Sequence, residues 1–536
     1  MTTFDVARQA LTVLIPELIV VLAATAMMTA GAFVRLPRRT WAAFSAATLA
    51  VAVVALILVR HVVPDPYASV VLNDPLSGYA RLALLLTGLV VLAFAHDQVD
   101  DARASEFFGC LLMIDAGAML VCAANEMVFL FAGLELVSIP TYLLLYLPRR
   151  NRETQEAATK YFFLSIFSSA FLLFGLAYLY GLTGLTNLRA LAWVLEKQVQ
   201  GEAVAKFGTI AVVFIMAGLG FRVAAVPFHF YAPDVYQGSP TVVAAVLAWV
   251  PKGIGFVAMI RALTAVLPVV GDVASKGLLL AWVLAAMTMI LGNAVALLQN
   301  DLKRLLAYSS IAHAGYLLIG VAVAFTNRLV GYPQGGGLIG GAFSGTEGIL
   351  FYLAAYALMT LGAFGVIISL SSPERPVETV DDLAGLGRTH PAAALAMAFC
   401  LFSLAGVPPM AGFWGKLWIF SSAFLPVQGE DGGPSLRWLA ILGVLNAAAG
   451  AYYYLRIVVW MYFQPVPARP LSPRSSWPTT VAVGACATLS LALGLYPRPL
   501  ARASHEAAVA ATARPGPARA PADQPAGPAV ATTRGR

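Results

Sequence analysis

Charge is scarce in this sequence. Only 11% of its 536 residues are Asp, Glu, Lys or Arg, against about 25% in a soluble globular domain. With 60% of the chain hydrophobic, a water-facing surface cannot be built, and a soluble fold is excluded. Cysteine is scarce as well. Cys110, Cys122, Cys400 and Cys486 all lie inside apolar runs with no CxxC spacing, which argues against a disulfide framework, a zinc site or an iron–sulfur cluster. The opening "MTTFDVARQALTVLIPELIVVLAA" lacks a basic n-region and a small-residue cleavage site, so it reads as a retained first helix. The formal net charge of +7 does not mark a nucleic-acid partner; loop Arg/Lys and a basic tail account for it.

What is abundant is apolar sequence in runs of the ~20 residues that cross a bilayer. The expected fold is an all-α polytopic membrane protein with about fourteen transmembrane helices. Three spans fall near 10–34, 41–63 and 76–95, within an N-terminal region 1–105. Five follow over 106–265, near 106–123, 126–147, 157–181, 206–228 and 239–264. Five more follow over 266–463, near 277–298, 303–325, 346–371, 391–424 and 436–463, and a last one lies near 478–496 within 464–496. The tail 497–536 is rich in Ala, Pro and Arg and nearly free of large apolar residues, which predicts disorder. Basic loops "VRLPRRT" and "PRRNRET" follow odd-numbered spans, placing those loops in the cytoplasm and both termini outside.

Two of these apolar runs are broken. One meets "VPFHFYAP" and the other is interrupted by "GVPPMAGFWGK". Interrupted segments in different halves of a membrane chain point to discontinuous helices at a transport site. Prolines free backbone groups that lipid cannot satisfy, so the breaks must face protein or water.

Charges inside the spans single out the candidate residues. Glu135 sits within "GLELVSIPTYLLL", Lys252 near the middle of "TVVAAVLAWVPKGIGFVAMIR", Lys416 just beyond the double proline, and Arg222 ahead of Pro227. Each costs about 2.5–3.5 kcal/mol at a helix centre, and the four together on the order of ten, unless they face one another or water. Lysine suits proton handling, because burial favours its neutral form while a nearby carboxylate favours the charged one. Arginine stays protonated and serves only as a fixed charge. His229 and His313 read equally as hydrogen-bonded core histidines or as proton relays. Lys160 reads as a relay residue or as a side chain snorkelling to the surface, and Lys303 and Arg304 as flanking loop residues. "GGGLIG" (335–340) matches a dinucleotide fingerprint in letters only, since no strand precedes it.

Five stretches together resemble one family. "GLELVSIPTYLLL", "KYFFLSIFSSAFLLFGLAYLYGLTGLTNL", "VPFHFYAPDVYQGSPT", "NDLKRLLAYSSIAHAGYLL" and "AGVPPMAGFWGKL" run in order from about 125 to 420. They are similar to the antiporter-like subunit N family of bacterial NADH–quinone oxidoreductase, respiratory complex I; "PDVYQGSPT" favours N over its relatives L and M. The resemblance implies two inverted five-helix repeats, each containing a broken helix. It implies proton translocation coupled to quinone reduction elsewhere in the complex, other membrane-arm subunits as partners, and a bacterial inner (plasma) membrane location. No cofactor is expected on this chain; quinone, flavin and iron–sulfur centres are expected in partner subunits. Glu135, Lys252 and Lys416 match the family's helix-five glutamate, helix-eight lysine and helix-twelve lysine. Arg222 departs from the pattern, which has lysine there. Two other readings stay open: a subunit of a multi-subunit cation/proton antiporter, and a membrane-arm subunit that has lost pumping.

Overall fold

The computed structural model describes residues 2–147, 152–197, 202–266, 271–330, 344–372, 375–424, 435–467, 471 and 476–513. Among them every regular element is helical. At the N-terminus lie α1 (Thr3–Val13), α2 (Ile15–Phe33), α3 (Arg38–Leu58) and α4 (Pro75–Ala95). Then come α5 (Ala104–Ala123), α6 (Met127–Tyr146), α7 (Arg152–Thr183), the short α8 (Leu188–Lys197), α9 (Glu202–Arg222), α10 (Tyr231–Gly238) and α11 (Thr241–Val266). The second stretch holds α12 (Gly271–Ala296), α13 (Leu302–Val330), α14 (Gly345–Leu370), α15 (Leu386–Thr389), α16 (Pro391–Ala405), α17 (Ala411–Phe424) and α18 (Leu436–Phe463). α19 (Trp477–Leu495) and α20 (Arg498–Thr512) close the described chain.

Among the described residues, thirteen helices are long and apolar enough to span a bilayer. The 391–424 run, expected as one span, divides into the shorter α16 and α17, so it supplies the remaining crossing as a broken pair. Both breaks fall on the fourth long element of their stretch: α9/α10 after α5, α6 and α7, and α16/α17 after α12, α13 and α14.

Side chains sort by solvent. Phe163, Phe167 and Phe174 on α7 and Leu445 and Tyr452 on α18 are exposed, a distribution that water penalises and lipid accepts. α11 is the opposite case, with its most apolar window wholly buried. A helix apolar all round belongs inside a bundle. Helix starts follow capping rules: Glu126, Asp74 and Ser344 accept the N–H groups of Phe129, Ser77 and Glu347 at 2.8, 2.9 and 3.0 Å.

The tail corrects one expectation. Residues from Pro497 were expected to be disordered, yet 498–512 form α20, packed on α4 and α14. Ala501, Ser504, Ala508 and Ala511 recur at helical spacing and are buried. Small residues allow close helix approach without large side chains. The rest of the tail, residues 514–536, lies outside the described residues, as do "GGGLIG" and part of the 148–154 loop.

Candidate functional site

The first break brings an arginine onto a carboxylate. α9 ends at Arg222, and the chain turns through Ala224, which sits at φ 57, a left-handed conformation that costs a side-chain-bearing residue. The freed backbone groups are satisfied locally. Ala225 N–H donates to the Gly220 carbonyl at 2.8 Å, Val226 N–H to Thr288 Oγ1 on α12 at 3.0 Å, and the Tyr231 hydroxyl to the Phe221 carbonyl at 3.0 Å. Arg222 thereby points across to α6. Its Nη2 donates to Glu135 Oε1 at 3.0 Å and to Ser169 Oγ at 3.4 Å, and its Nη1 to Ser138 Oγ. Ser169 Oγ also donates to Glu135 Oε1. Arg222 is 2% exposed and Glu135 27%, so the pair is closed on one side only. α11 passes close behind: a Cβ on Gly255 would meet Val223 Cγ1 at 2.7 Å and Arg222 Cβ at 3.2 Å.

Lys252, within the buried apolar window of α11, has neutral partners. Its Nζ donates to the Ser310 carbonyl, to Ser310 Oγ at 2.6 Å and to the Tyr356 hydroxyl at 3.4 Å. It also lies 4.6 Å from the centre of the Tyr356 ring, within cation–π range. His313 follows on α13. Its Nδ1 is hydrogen-bonded to the Tyr352 hydroxyl at 2.5 Å and its Nε2 to the Tyr454 hydroxyl at 2.9 Å. The imidazole packs against the rings of Tyr356 and Tyr316 at 5.1 and 5.6 Å between centroids.

The second break positions Lys416. Gly406 terminates α16 at φ 88, its N–H bonding the carbonyls of Phe402 and Ser403 at 3.0 and 3.1 Å. The next helix sends Lys416 Nζ back onto the end of α16, 2.7 Å from the Leu404 carbonyl and 2.9 Å from that of Ala405. A cation on unsatisfied C-terminal carbonyls meets the negative end of the helix dipole. The ammonium also lies 5.2 Å from the centre of the Tyr316 ring. Tyr356, His313 and Tyr316 therefore form a continuous set of contacts between Lys252 and Lys416.

Two expected site residues lie apart. Lys160 is 39% exposed and bonds Asp234 Oδ2 at 2.5 Å and Glu156 Oε1 at 2.7 Å. Arg304 reaches the other oxygen of Asp234 at 2.8 Å, and Lys303 the carbonyls of Gln237 and Ser239. Lys303 and Arg304 thus tie α13 to α10, beyond a loop-flank role. His229 is half-buried in the loop after the first break, and among the described residues no hydrogen bond joins it to Glu135, Arg222 or Lys252.

Residues that sequence reasoning passed over surround the row. Tyr316, Tyr352, Tyr356 and Tyr454 carry no charge to mark them; the spacing of Tyr316 three residues after His313, and of Tyr352 and Tyr356 four apart, was the available signal, and Tyr454 offered none. Two further buried ion pairs also went unseen: Arg81–Glu17 at 2.5 Å between α4 and α2, and Arg261–Asp74, whose paired hydrogen bonds are 2.5 and 2.6 Å. Burial alone would push the Asp74 carboxyl up, but Arg261, the Ser77 N–H and Arg189 hold it below the ordinary 3.8.

Comparison with known proteins places this geometry. Residues 124–428, which contain Glu135, Arg222, Lys252, His313 and Lys416, match the family model described as NADH:quinone oxidoreductase/Mrp antiporter, TM. NADH-quinone oxidoreductase subunit N of Trichlorobacter lovleyi is 42% identical over 401 residues, spanning 74% of this chain and 76% of that protein. A chain of respiratory complex I from Thermus thermophilus superposes with a TM-score of 0.72 at 31% identity, covering 91% of this chain and 99% of its own. A chain of the Mrp complex from Dietzia shares the fold, with a TM-score of 0.76 at 21% identity over 96% and 98% of the two chains. The chain belongs to the NADH:quinone oxidoreductase/Mrp antiporter family of membrane proteins.

Proposed function

We propose that this chain is a proton-translocating membrane-arm subunit of an NADH–quinone oxidoreductase, moving protons as quinone is reduced by partner subunits. The observation that carries the reading is the buried row itself: Glu135–Arg222 at one broken helix, Lys252 on the central α11, His313 among tyrosines, and Lys416 at the other broken helix. Lys252 and Lys416 take up and release protons at Nζ; the Ser310 and Tyr356 hydroxyls offer hydrogen-bonded steps from Lys252, and the ring contacts of Tyr356, His313 and Tyr316 continue to Lys416. Arg222 holds its proton throughout and sets the field on Glu135. Stretches 106–265 and 266–463 act as two inverted repeats, each built around one break. The chain sits in a bacterial plasma membrane with both termini outside, carries no redox centre of its own, and relies on partners for quinone, flavin and iron–sulfur chemistry.

Purification of the tagged protein from native membranes, with mass spectrometry of its companions, tests the assembly. Quinone-site and flavin/iron–sulfur subunits with NADH–quinone activity are expected. Small antiporter subunits without a redox arm would favour the cation/proton antiporter, a reading to which the likeness to the Mrp chain contributes fold alone. Proton pumping by the intact complex carrying Lys252→Ala tests the relay; unchanged pumping and turnover would remove Lys252 from it and favour a structural subunit.

A further inference from the structure

We propose that Glu347 and His505 form a proton-exchange pair that links a buried carboxyl to solvent through the tail helix. The inference rests on the proton-translocation reading above. Glu347 stands in the first turn of α14 and is 3% exposed, while His505 on α20 is 35% exposed. His505 Nδ1 lies 3.2 Å from Glu347 Oε2, and Glu347 Oε1 is buried without a protein partner. One carboxylate oxygen thus faces a half-open imidazole, and the other is free to accept a proton from the interior side.

Docking of α20 is built from several contacts that hold this geometry. Ser504 Oγ reaches the Tyr79 hydroxyl at 3.4 Å, and that hydroxyl donates to the Leu350 carbonyl at 2.9 Å. Arg189 caps the far end, donating to the carbonyls of Ala513 and Ala510 at 2.9 and 3.2 Å. The helices packed on α20 carry Tyr79 and Arg81 (α4), Lys252 and Arg261 (α11), and Glu347, Tyr352 and Tyr356 (α14). Arg81 and Arg261 are taken by Glu17 and Asp74, and Lys252 by Ser310. On α20 itself Arg498, Arg502 and Glu506 are exposed. His505 is therefore the side chain left to exchange a proton with Glu347.

The exchange is a simple relay. The O–H bond on Glu347 Oε2 breaks as an N–H bond forms on His505 Nδ1, leaving carboxylate and imidazolium. The imidazolium then loses its Nε2 proton to water at the exposed edge. Tautomer exchange resets the ring, Oε1 takes the next proton, and rotation of the carboxyl about Cγ–Cδ turns that O–H toward His505 Nδ1.

The intact complex in liposomes provides the test, with proton release followed per quinone reduced. Variants are His505→Gln, Glu347→Gln and Lys252→Ala, each with and without imidazole added to the medium. His505→Gln keeps a hydrogen-bond donor toward Glu347 but cannot titrate. It is expected to slow proton release by about 10²-fold, the range for loss of a positioned acid–base group. Added imidazole is expected to restore release, while trypsin cleavage at Arg502 stays at the native level because α20 remains docked. Native release by His505→Gln together with loss in Lys252→Ala would overturn the exchange pair and leave translocation standing. Native release by both would overturn both. A loss that imidazole does not rescue, with Arg502 newly cleaved, would reduce His505 to a structural clasp and overturn the inference.

Discussion

The two broken helices hold their cations in opposite ways. At the first, Arg222 meets a carboxylate and two serine hydroxyls. At the second, Lys416 meets two main-chain carbonyls and a tyrosine face, and Lys252 between them meets a carbonyl, two hydroxyls and another tyrosine face. A cation whose partners are neutral can give up its proton without stranding a carboxylate; a cation locked to the half-buried Glu135 cannot. On the proton-translocation reading proposed above, the difference gives the row a fixed end and a titrating end. The same reading gives the arginine a place, since a fixed end needs no residue that titrates.

The largest effect is expected from a pair outside the row, which sets the scale for a purely structural ion pair. Asp74→Asn leaves Arg261 buried without its carboxylate and should destabilise the protein by about 3–5 kcal/mol, read as thermal inactivation in detergent. The pH sign follows from the depressed Asp74 carboxyl. Its stabilisation is fully present above about pH 4 and is lost as pH falls below 3.8 toward the folded value. The gap between wild type and Asp74→Asn should therefore narrow as pH falls through that window. A gap constant with pH would mean that the pair does not form.

Within the row, Lys416→Ala strands the Leu404 and Ala405 carbonyls and should cost about 1–3 kcal/mol as well as pumping. Stability unchanged in that variant would contradict its place on the end of α16. Gly255→Ala crowds Val223 and Arg222 and should cost about 1–3 kcal/mol, weakening pumping while leaving assembly intact. Arg222→Lys keeps the cation and should retain both assembly and pumping; severe loss would show that the guanidinium fork on Ser138, Ser169 and Glu135 is itself required. Tyr356→Phe removes one long hydrogen bond to Lys252 but keeps the ring beneath it, so its cost should be about 0.5–1.5 kcal/mol, the smallest of these stability costs.

Much of this was legible because lipid is an unforgiving solvent. Glu135, Arg222, Lys252 and Lys416 stood out as charges that membrane helices carry only for a reason, and the prolines at 227, 408 and 409 marked the breaks. The spans themselves followed from run length. What stayed hidden was written in residues that fit either solvent. Tyr352, Tyr356 and Tyr454 look like core packing until a histidine is placed between their hydroxyls. Asp74 and Arg261 are far apart in sequence and only a fold brings them together. α20 escaped because alanine carries almost no hydrophobic signal, although its 501, 504, 508 and 511 spacing is helical. Lys160 drew attention as a charge in an apolar stretch, yet it lies at the start of α7 among surface carboxylates.

Lys252→Arg in the intact complex puts the central distinction to its most direct test. Arginine keeps the positive charge and can still donate to Ser310 and Tyr356, but it cannot release a proton. Protons translocated per electron would be measured beside wild type and Lys252→Ala. A relay lysine predicts that Lys252→Arg loses pumping as fully as Lys252→Ala. Pumping at the native level in Lys252→Arg would show that Lys252, like Arg222, is a fixed charge, and the division of the row into a fixed and a titrating end would fall.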